Sequence, residues 1–254
     1  MDAALCEATQ WDKYTDAARA AYKRGQYSEA ESGFSSALKE AEKSGQEDTR
    51  LAVSLNNLAD VYRTQGKYAQ AEPLYKRALT IKEKVLGPDH PSTAKALNNL
   101  AEVYRAQGKY AEAEPLYIRA LAINEKTLGP DHPDVAIDLN NLALLYENQG
   151  KYTEAEPFFK RSLAIKEKTL GPDNPSLATG INNLAAHYEN QGKYADAEPL
   201  YKRSLAIKEK ALGPDHPDVA TALKNYAHLL RATNRTAEAE KLEARAQTIM
   251  AKTR

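Results

Sequence analysis

The chain has 254 residues and a mass of 28.0 kDa, with 35 basic against 35 acidic side chains and a sequence pI near 7.0, a balance that excludes nucleic acid or an anionic membrane held by bulk charge. Leu, Ile, Val and Phe are sparse, yet the absence of net charge and the 15 tyrosines separate the chain from disordered sequences, so its core must come from Ala, Leu and Tyr packed as close helices. The single cysteine, Cys6, excludes an internal disulfide framework or a Cys-based zinc site within one chain, and no apolar run approaches the ~20 residues of a membrane span.

Taken in chain order, the elements form one unit copied six times. The first copy covers about residues 9–50, where Gly25, Tyr27, Ala30 and Phe34 return 41 residues later as Gly66, Tyr68, Ala71 and Tyr75. From there the period is 42: Asn-Asn-Leu-Ala begins at Asn56, Asn98, Asn140 and Asn182, and Gly-Lys-Tyr begins at Gly66, Gly108, Gly150 and Gly192. Leu-Gly-Pro-Asp follows in phase at Leu86, Leu128, Leu170 and Leu212, giving units 51–92, 93–134, 135–176 and 177–218. The last copy, 219–251, keeps Leu223, Asn225, Ala227 and Ala239 but places Thr236, Lys241 and Glu243 where the others have Tyr, Pro and an aromatic residue. Polar replacements at the end of a stacked array predict a cap, and the whole of 1–254 reads as a single all-α solenoid.

Inside a unit, Leu97, Leu100, Ala101 and Tyr104 fall at i, i+3, i+4 and i+7, one face of a helix. Gly108 ends it, and Tyr110, Ala113, Leu116, Tyr117, Ala120 and Leu121 form a second stripe. The spacing predicts two antiparallel helices of about four turns joined by a tight turn, with Ala101, Ala113 and Ala120 permitting close approach. In the connector Leu128-Gly129-Pro130-Asp131-His132-Pro133, Gly129 suits a left-handed residue after the helix, Pro133 suits the first turn of the next, and His132 is a candidate N-cap, as is Asn174 at the equivalent place. The Lys-Glu-Lys runs at Lys82, Lys166 and Lys208 close the second helices, where cations favour the helix dipole, and read as a solvated face.

The pattern Leu-x-x-Leu-Ala-x-x-Tyr, then Gly-x-Tyr-x-x-Ala, resembles the tetratricopeptide repeat. Its long form, with Asn-Asn-Leu-Ala, Gly-Lys-Tyr-x-x-Ala-Glu-Pro-Leu-Tyr and Leu-Gly-Pro-Asp-His-Pro, is similar to the repeats of kinesin light chains and their bacterial relatives across about residues 9–251. The resemblance implies a right-handed superhelix of six antiparallel helix pairs whose first helices line a concave groove for an extended peptide or a partner protein. It places in that groove Asn56, Asn57, Asp60 and Arg63; Lys95, Asn98, Asn99, Glu102 and Arg105; Asn140, Asn141, Leu144 and Glu147; Asn182, Asn183, Ala186 and Glu189; and Lys224, Asn225, His228 and Arg231.

The asparagines support this placement independently. Asn in a helix interior costs several tenths of a kcal/mol relative to Ala, so eight of them in phase need a return. A carboxamide carries both donors and acceptors and can pair with the backbone of an extended chain; alternatively, the second Asn of each pair bonds a neighbouring helix. Arg19, Lys23, Arg63, Lys95 and Arg105 gather in the first half, whereas Glu147 and Glu189 stand where earlier copies have Arg63 and Arg105, so an acidic ligand segment is expected toward the first half. Surface pairs such as Asp60 with Arg63 are the competing explanation.

Catalysis finds no motif: His90, His132 and His216 recur only with the repeat, His187 and His228 are isolated, and no phosphate-cradling loop, zinc spacing or nucleophile signature is present. The expectation is a cytoplasmic, monomeric, non-enzymatic interaction scaffold without cofactor or metal, binding neither nucleic acid nor membrane. Two alternatives remain open: a module that self-associates end to end through Leu242 and Ile249, and an adaptor region of a larger multidomain sensor or enzyme.

Overall fold

The computed structural model of the chain describes residues 9–252, so Cys6 lies outside the described residues. Every regular element among them is a helix. Six pairs follow one another: α1 (Gln10–Lys23) with α2 (Tyr27–Glu42), α3 (Thr49–Thr64) with α4 (Tyr68–Leu86), α5 (Pro91–Ala106) with α6 (Tyr110–Leu128), α7 (Pro133–Asn148) with α8 (Tyr152–Leu170), α9 (Pro175–Asn190) with α10 (Tyr194–Leu212), and α11 (Pro217–Ala232) with α12 (Thr236–Lys252). The chain forms two compact units, 1–128 and 129–254, each holding three pairs; within a unit every second helix also packs on the first helix of the next pair. This is an all-α repeat solenoid.

Local chemistry sets the boundaries. Each long connector ends on an N-cap whose side chain accepts from the backbone N–H two residues on: His90 from Ser92 at 3.0 Å, His132 from Asp134 at 3.1 Å, Asn174 from Ser176 at 2.9 Å and His216 from Asp218 at 3.1 Å. The recurring histidines are therefore capping groups. Gly108 takes φ of 74°, the left-handed conformation that turns one helix back on the other. In the last repeat Asn234 fills the same role at φ of 62°. The connector glycines differ from expectation: Gly87 has φ of 94° and ψ of 157°, an extended positive-φ conformation open essentially to Gly alone, rather than a left-handed helical cap. The second helices of the four regular repeats are also longer than four turns, at 19 residues, because their lysine-rich ends stay helical up to that glycine.

The small and large core positions interlock as the stripes require. Ala101 and Ala113 are completely buried, and one cluster of the first unit joins Ala59, Ala71, Tyr75, Leu100 and Val103 across three helices. Tyr104 lies at the rim, where the Nζ atoms of Lys76 and Lys109 each stand 5.5 Å from its ring centre.

Two expectations are overturned by packing. The Lys-Glu-Lys runs are not one solvated face. Lys82 is 9% exposed and donates to the Ser92 carbonyl at 3.3 Å, Lys208 is equally buried, and Lys166 lies half-buried against Gly180. The stripe Ala71, Tyr75, Ala78, Lys82 advances by four, three and four residues, which carries the lysine stem onto the buried side of its helix. The following residues tie neighbouring repeats together, Glu83 to Arg119 at 2.5 Å and Lys84 to Glu47 at 2.7 Å in the first unit, Glu167 to Arg203 at 2.7 Å and Lys210 to Asp173 at 2.6 Å in the second. At the C-terminal end, Ile249 is 1% exposed and packs with Val219, Ala220, Leu223 and Ala246, while Leu242 covers the same cluster. The apolar end invoked for self-association is thus spent inside the last pair. Glu243 replaces the aromatic of other repeats and takes Arg231 in two bonds of 2.7 and 2.6 Å.

Candidate functional site

In each unit the first helices carry the residues that the sequence assigns to a binding face. Half-buried asparagines occupy the middle of those helices, and they meet one another. Asn99 Nδ2 donates to Asn56 Oδ1 at 2.9 Å in the first unit; Asn183 donates to Asn140 at 2.9 Å and Asn225 to Asn182 at 3.0 Å in the second. The second asparagine of a pair therefore bonds the first asparagine of the preceding repeat. A carboxamide has two N–H groups and two acceptor lone pairs, so this ladder leaves capacity on each member.

In the first unit the ladder stops one rung short. In the preceding repeat Thr15 stands where later copies have the first asparagine of the pair, and both the Asn57 Nδ2 and the Thr15 Oγ1 are buried without a hydrogen-bond partner. Beside this gap opens a cavity of about 170 Å³ lined by Arg19, Tyr22, Lys23, Phe34, Asn57 and Asp60. The α3 carboxylate Asp60 accepts from Tyr75 Oη at 2.5 Å and from Asn56 Nδ2 at 2.9 Å. Burial pushes its carboxyl above the usual range, against the opposing effect of Tyr75 and Arg63.

Arg63 is not presented alone. Its guanidinium stands 3.1 Å from Glu102 and 3.8 Å from Asp60, and although burial works against its charge, Glu102, Tyr75 and Asp60 hold it more firmly protonated than usual. The cations at this face that remain available to a ligand are Arg19, which touches only exposed Asp16 at 3.7 Å, together with Lys23 and the exposed Lys95. Lys82, not anticipated near this face, is not among them: it is buried and donates to the Ser92 carbonyl, and burial, then the charge of Lys95, lowers its pKa. The stripe spacing noted above was the signal for it. Asn98 and Arg105 are half-buried on α5.

The second unit reverses the sign. Glu147 on α7 and Glu189 on α9 are 13% and 9% exposed. Glu147 accepts from Asn190 Nδ2 at 2.9 Å; Glu189 accepts from Tyr201 Oη at 2.6 Å and meets His228 Nδ1 at 2.6 Å. His187, isolated in the sequence, is fully buried, with its ring centre 5.1 Å from that of Phe159 and its Nδ1 3.7 Å from Glu147. Asn141 and Leu144 are half-buried beside Asn140, and Lys224 is exposed. Among the described residues no group of three or more His, Cys, Asp and Glu side chains could hold a metal ion, and no helix is long and apolar enough to cross a membrane.

Paired helices repeating at a fixed period, with polar first-helix faces, define a helical-repeat protein. The chain belongs to the tetratricopeptide repeat family, whose sequence profile matches residues 12–84, 50–117, 92–168, 138–185 and 176–252. Among solved structures it is similar to kinesin light chain repeats of Podosopora anserina, described as nearly identical TPR-like repeats, at 31% identity and a TM-score of 0.68 over 81% of this chain and 96% of that one. BtubC (BKLC) of P. vanneervenii shares the fold at 23% identity and a TM-score of 0.72 over 96% of this chain and 92% of the other. A Rap protein complexed with Competence and Sporulation Factor does so at 17% identity and a TM-score of 0.68 over 95% and 75%. No curated protein is significantly similar in sequence.

Proposed function

We propose that the protein is an interaction scaffold that holds an extended peptide, or an extended segment of a partner protein, against its first-helix faces, with an acidic segment of that ligand on the first unit. The observation that carries this reading is the cavity beside Asn57. It combines an unsatisfied amide donor, two cationic side chains at its rim and aromatic walls from Tyr22 and Phe34. An orphaned buried donor costs about 1–3 kcal/mol relative to a satisfied one, so a ligand carbonyl or carboxylate placed there gains more than it would on an ordinary surface. Arg19 and Lys23 favour the carboxylate. Support of a coarser kind comes from the Rap protein, a chain of the same fold complexed with Competence and Sporulation Factor.

The test is selection from a displayed library of random dodecapeptides, followed by calorimetry with the enriched sequences. Enrichment of Asp and Glu is expected, with binding weakened about tenfold by Asn57→Ala, as loss of one hydrogen bond requires, and weakened further by Arg19→Ala with Lys23→Ala. Peptides that bind the triple variant as tightly as wild type would place the recognition surface elsewhere.

A further inference from the structure

We propose that the first-helix face of the second unit receives a cationic side chain of the partner, an arginine guanidinium, between Glu147 and Glu189. This rests on the reading that first-helix faces hold an extended chain, and it names what that chain must offer the second unit. The first unit contains the template. There Asp60 and Glu102, on successive first helices, share Arg63 at 3.8 and 3.1 Å. The second unit also sets two carboxylates on successive first helices, one turn further along, but glutamate has replaced the arginine at those positions.

Among the described residues, the nitrogen atoms that meet the two carboxylates belong to Asn190, His187 and His228. Carboxylates with so little exposure are normally paired with strong cations. Tyr201 senses both of them: burial, its bond to Glu189 and the charges of Glu189 and Glu147 all raise its pKa.

A separate feature points to an absent group. His187 is entirely buried, and its Nε2 meets Gln191 Nε2 at 2.6 Å, so the amide donates and the ring hydrogen belongs on Nδ1. That Nδ1 has no hydrogen-bond partner and is aimed at Glu147 Oε1, 3.7 Å away. A guanidinium on the outer oxygen of Glu147 would orient the carboxylate so that its inner oxygen closes on Nδ1–H. His228, whose side chain is 79% exposed, covers Glu189 from the solvent side and is the group that the incoming cation displaces. The planar fork of arginine suits two carboxylates better than an ammonium does.

The experiment uses the full chain, isotope-labelled, with Nα-acetyl-arginine amide as the probe and the uncharged Nα-acetyl-citrulline amide as its control. Saturable shifts of the His187 and His228 ring signals are expected with arginine, about tenfold weaker with citrulline, reduced by Glu147→Gln or Glu189→Gln and lost in the double variant. Each variant's melting temperature is recorded; should the double variant melt early, Glu147→Gln alone decides, since Glu147 is the more exposed of the two. Equal response to both probes, no saturable shift with arginine up to about 100 mM, a concentration far above millimolar binding, or a shift undiminished in Glu147→Gln would overturn the proposal. Peptide selection on the first unit is independent of this readout, so failure with arginine alongside successful selection removes the cation site and leaves the scaffold reading standing.

Discussion

The two units share a frame and differ in the charge laid over it. Tyr75 in the first and Tyr201 in the second are both buried, and each hydroxyl donates to a carboxylate of the preceding first helix. In the first unit that carboxylate is Asp60, already balanced by Arg63; in the second it is Glu189, met by the exposed His228. Duplication preserved what packing needs, the Ala and Tyr positions, while the last turns of the first helices diverged in sign. Folding therefore constrains one face of these helices and leaves the charge of the other free to vary.

The largest effect should fall on the shared frame. Ala113→Leu in the first unit and Ala197→Leu in the second both enlarge fully buried positions, and each should destabilise by roughly 1–3 kcal/mol in chemical denaturation. Equal losses confirm a common frame; an unchanged midpoint in either would mean that its helix faces solvent. Next come the tyrosines, which should separate the units. Tyr75→Phe leaves Asp60 its contacts with Asn56 and Arg63 and should cost about 0.5–1.5 kcal/mol. Tyr201→Phe strips a bond from the less exposed Glu189, which keeps the solvent-exposed His228, and should cost about 1–3 kcal/mol. Identical losses would remove the claimed difference between the two carboxylates.

Smaller again is the asparagine ladder. Asn99→Ala and Asn183→Ala each delete one bond between repeats, worth about 0.5–1.5 kcal/mol, offset by several tenths from better helix propensity. Melting temperatures should drop slightly and by similar amounts; a rise would show that these bonds contribute nothing and that the asparagines serve only a ligand. The least effect is expected at acid pH. Glu72 is held at about 2 by Lys76 and then Lys109, against burial, and Glu198 at about 2 by Lys202 and then Arg235. Folded-state values below the unfolded one mean that their stabilisation is present above about pH 4.5 and is lost as pH falls toward 2. Lys109→Ala and Arg235→Ala should flatten that acid limb equally, and only modestly because the pairs are partly exposed.

Much of the fold was legible because the period is uniform and the turn residues are chemically distinctive: Gly108, the prolines and the histidine caps lie where the spacing put them. Lys82 was misread because a lysine at a helix end satisfies a dipole argument as well as a packing one, and only the stripe from Ala71 distinguishes them. Ile249 looked exposed because the last copy had lost its aromatic residues, yet a helix still buries its own apolar stripe. The site was harder to read. The sequence shows which residues share a face, but whether Arg63 is offered to a ligand or held by Glu102 depends on the distance between repeats. Likewise the burial of His187 follows from Phe159, on a neighbouring helix rather than its own.

The central claim is that partners are held by the first-helix faces. Hydrogen exchange of the full chain, measured with and without a saturating selected peptide, tests it most directly. Protection confined to α1, α3, α5, α7, α9 and α11 is the predicted result. Protection concentrated in the second helices or the Gly-Pro connectors, with those six helices unchanged, would contradict it.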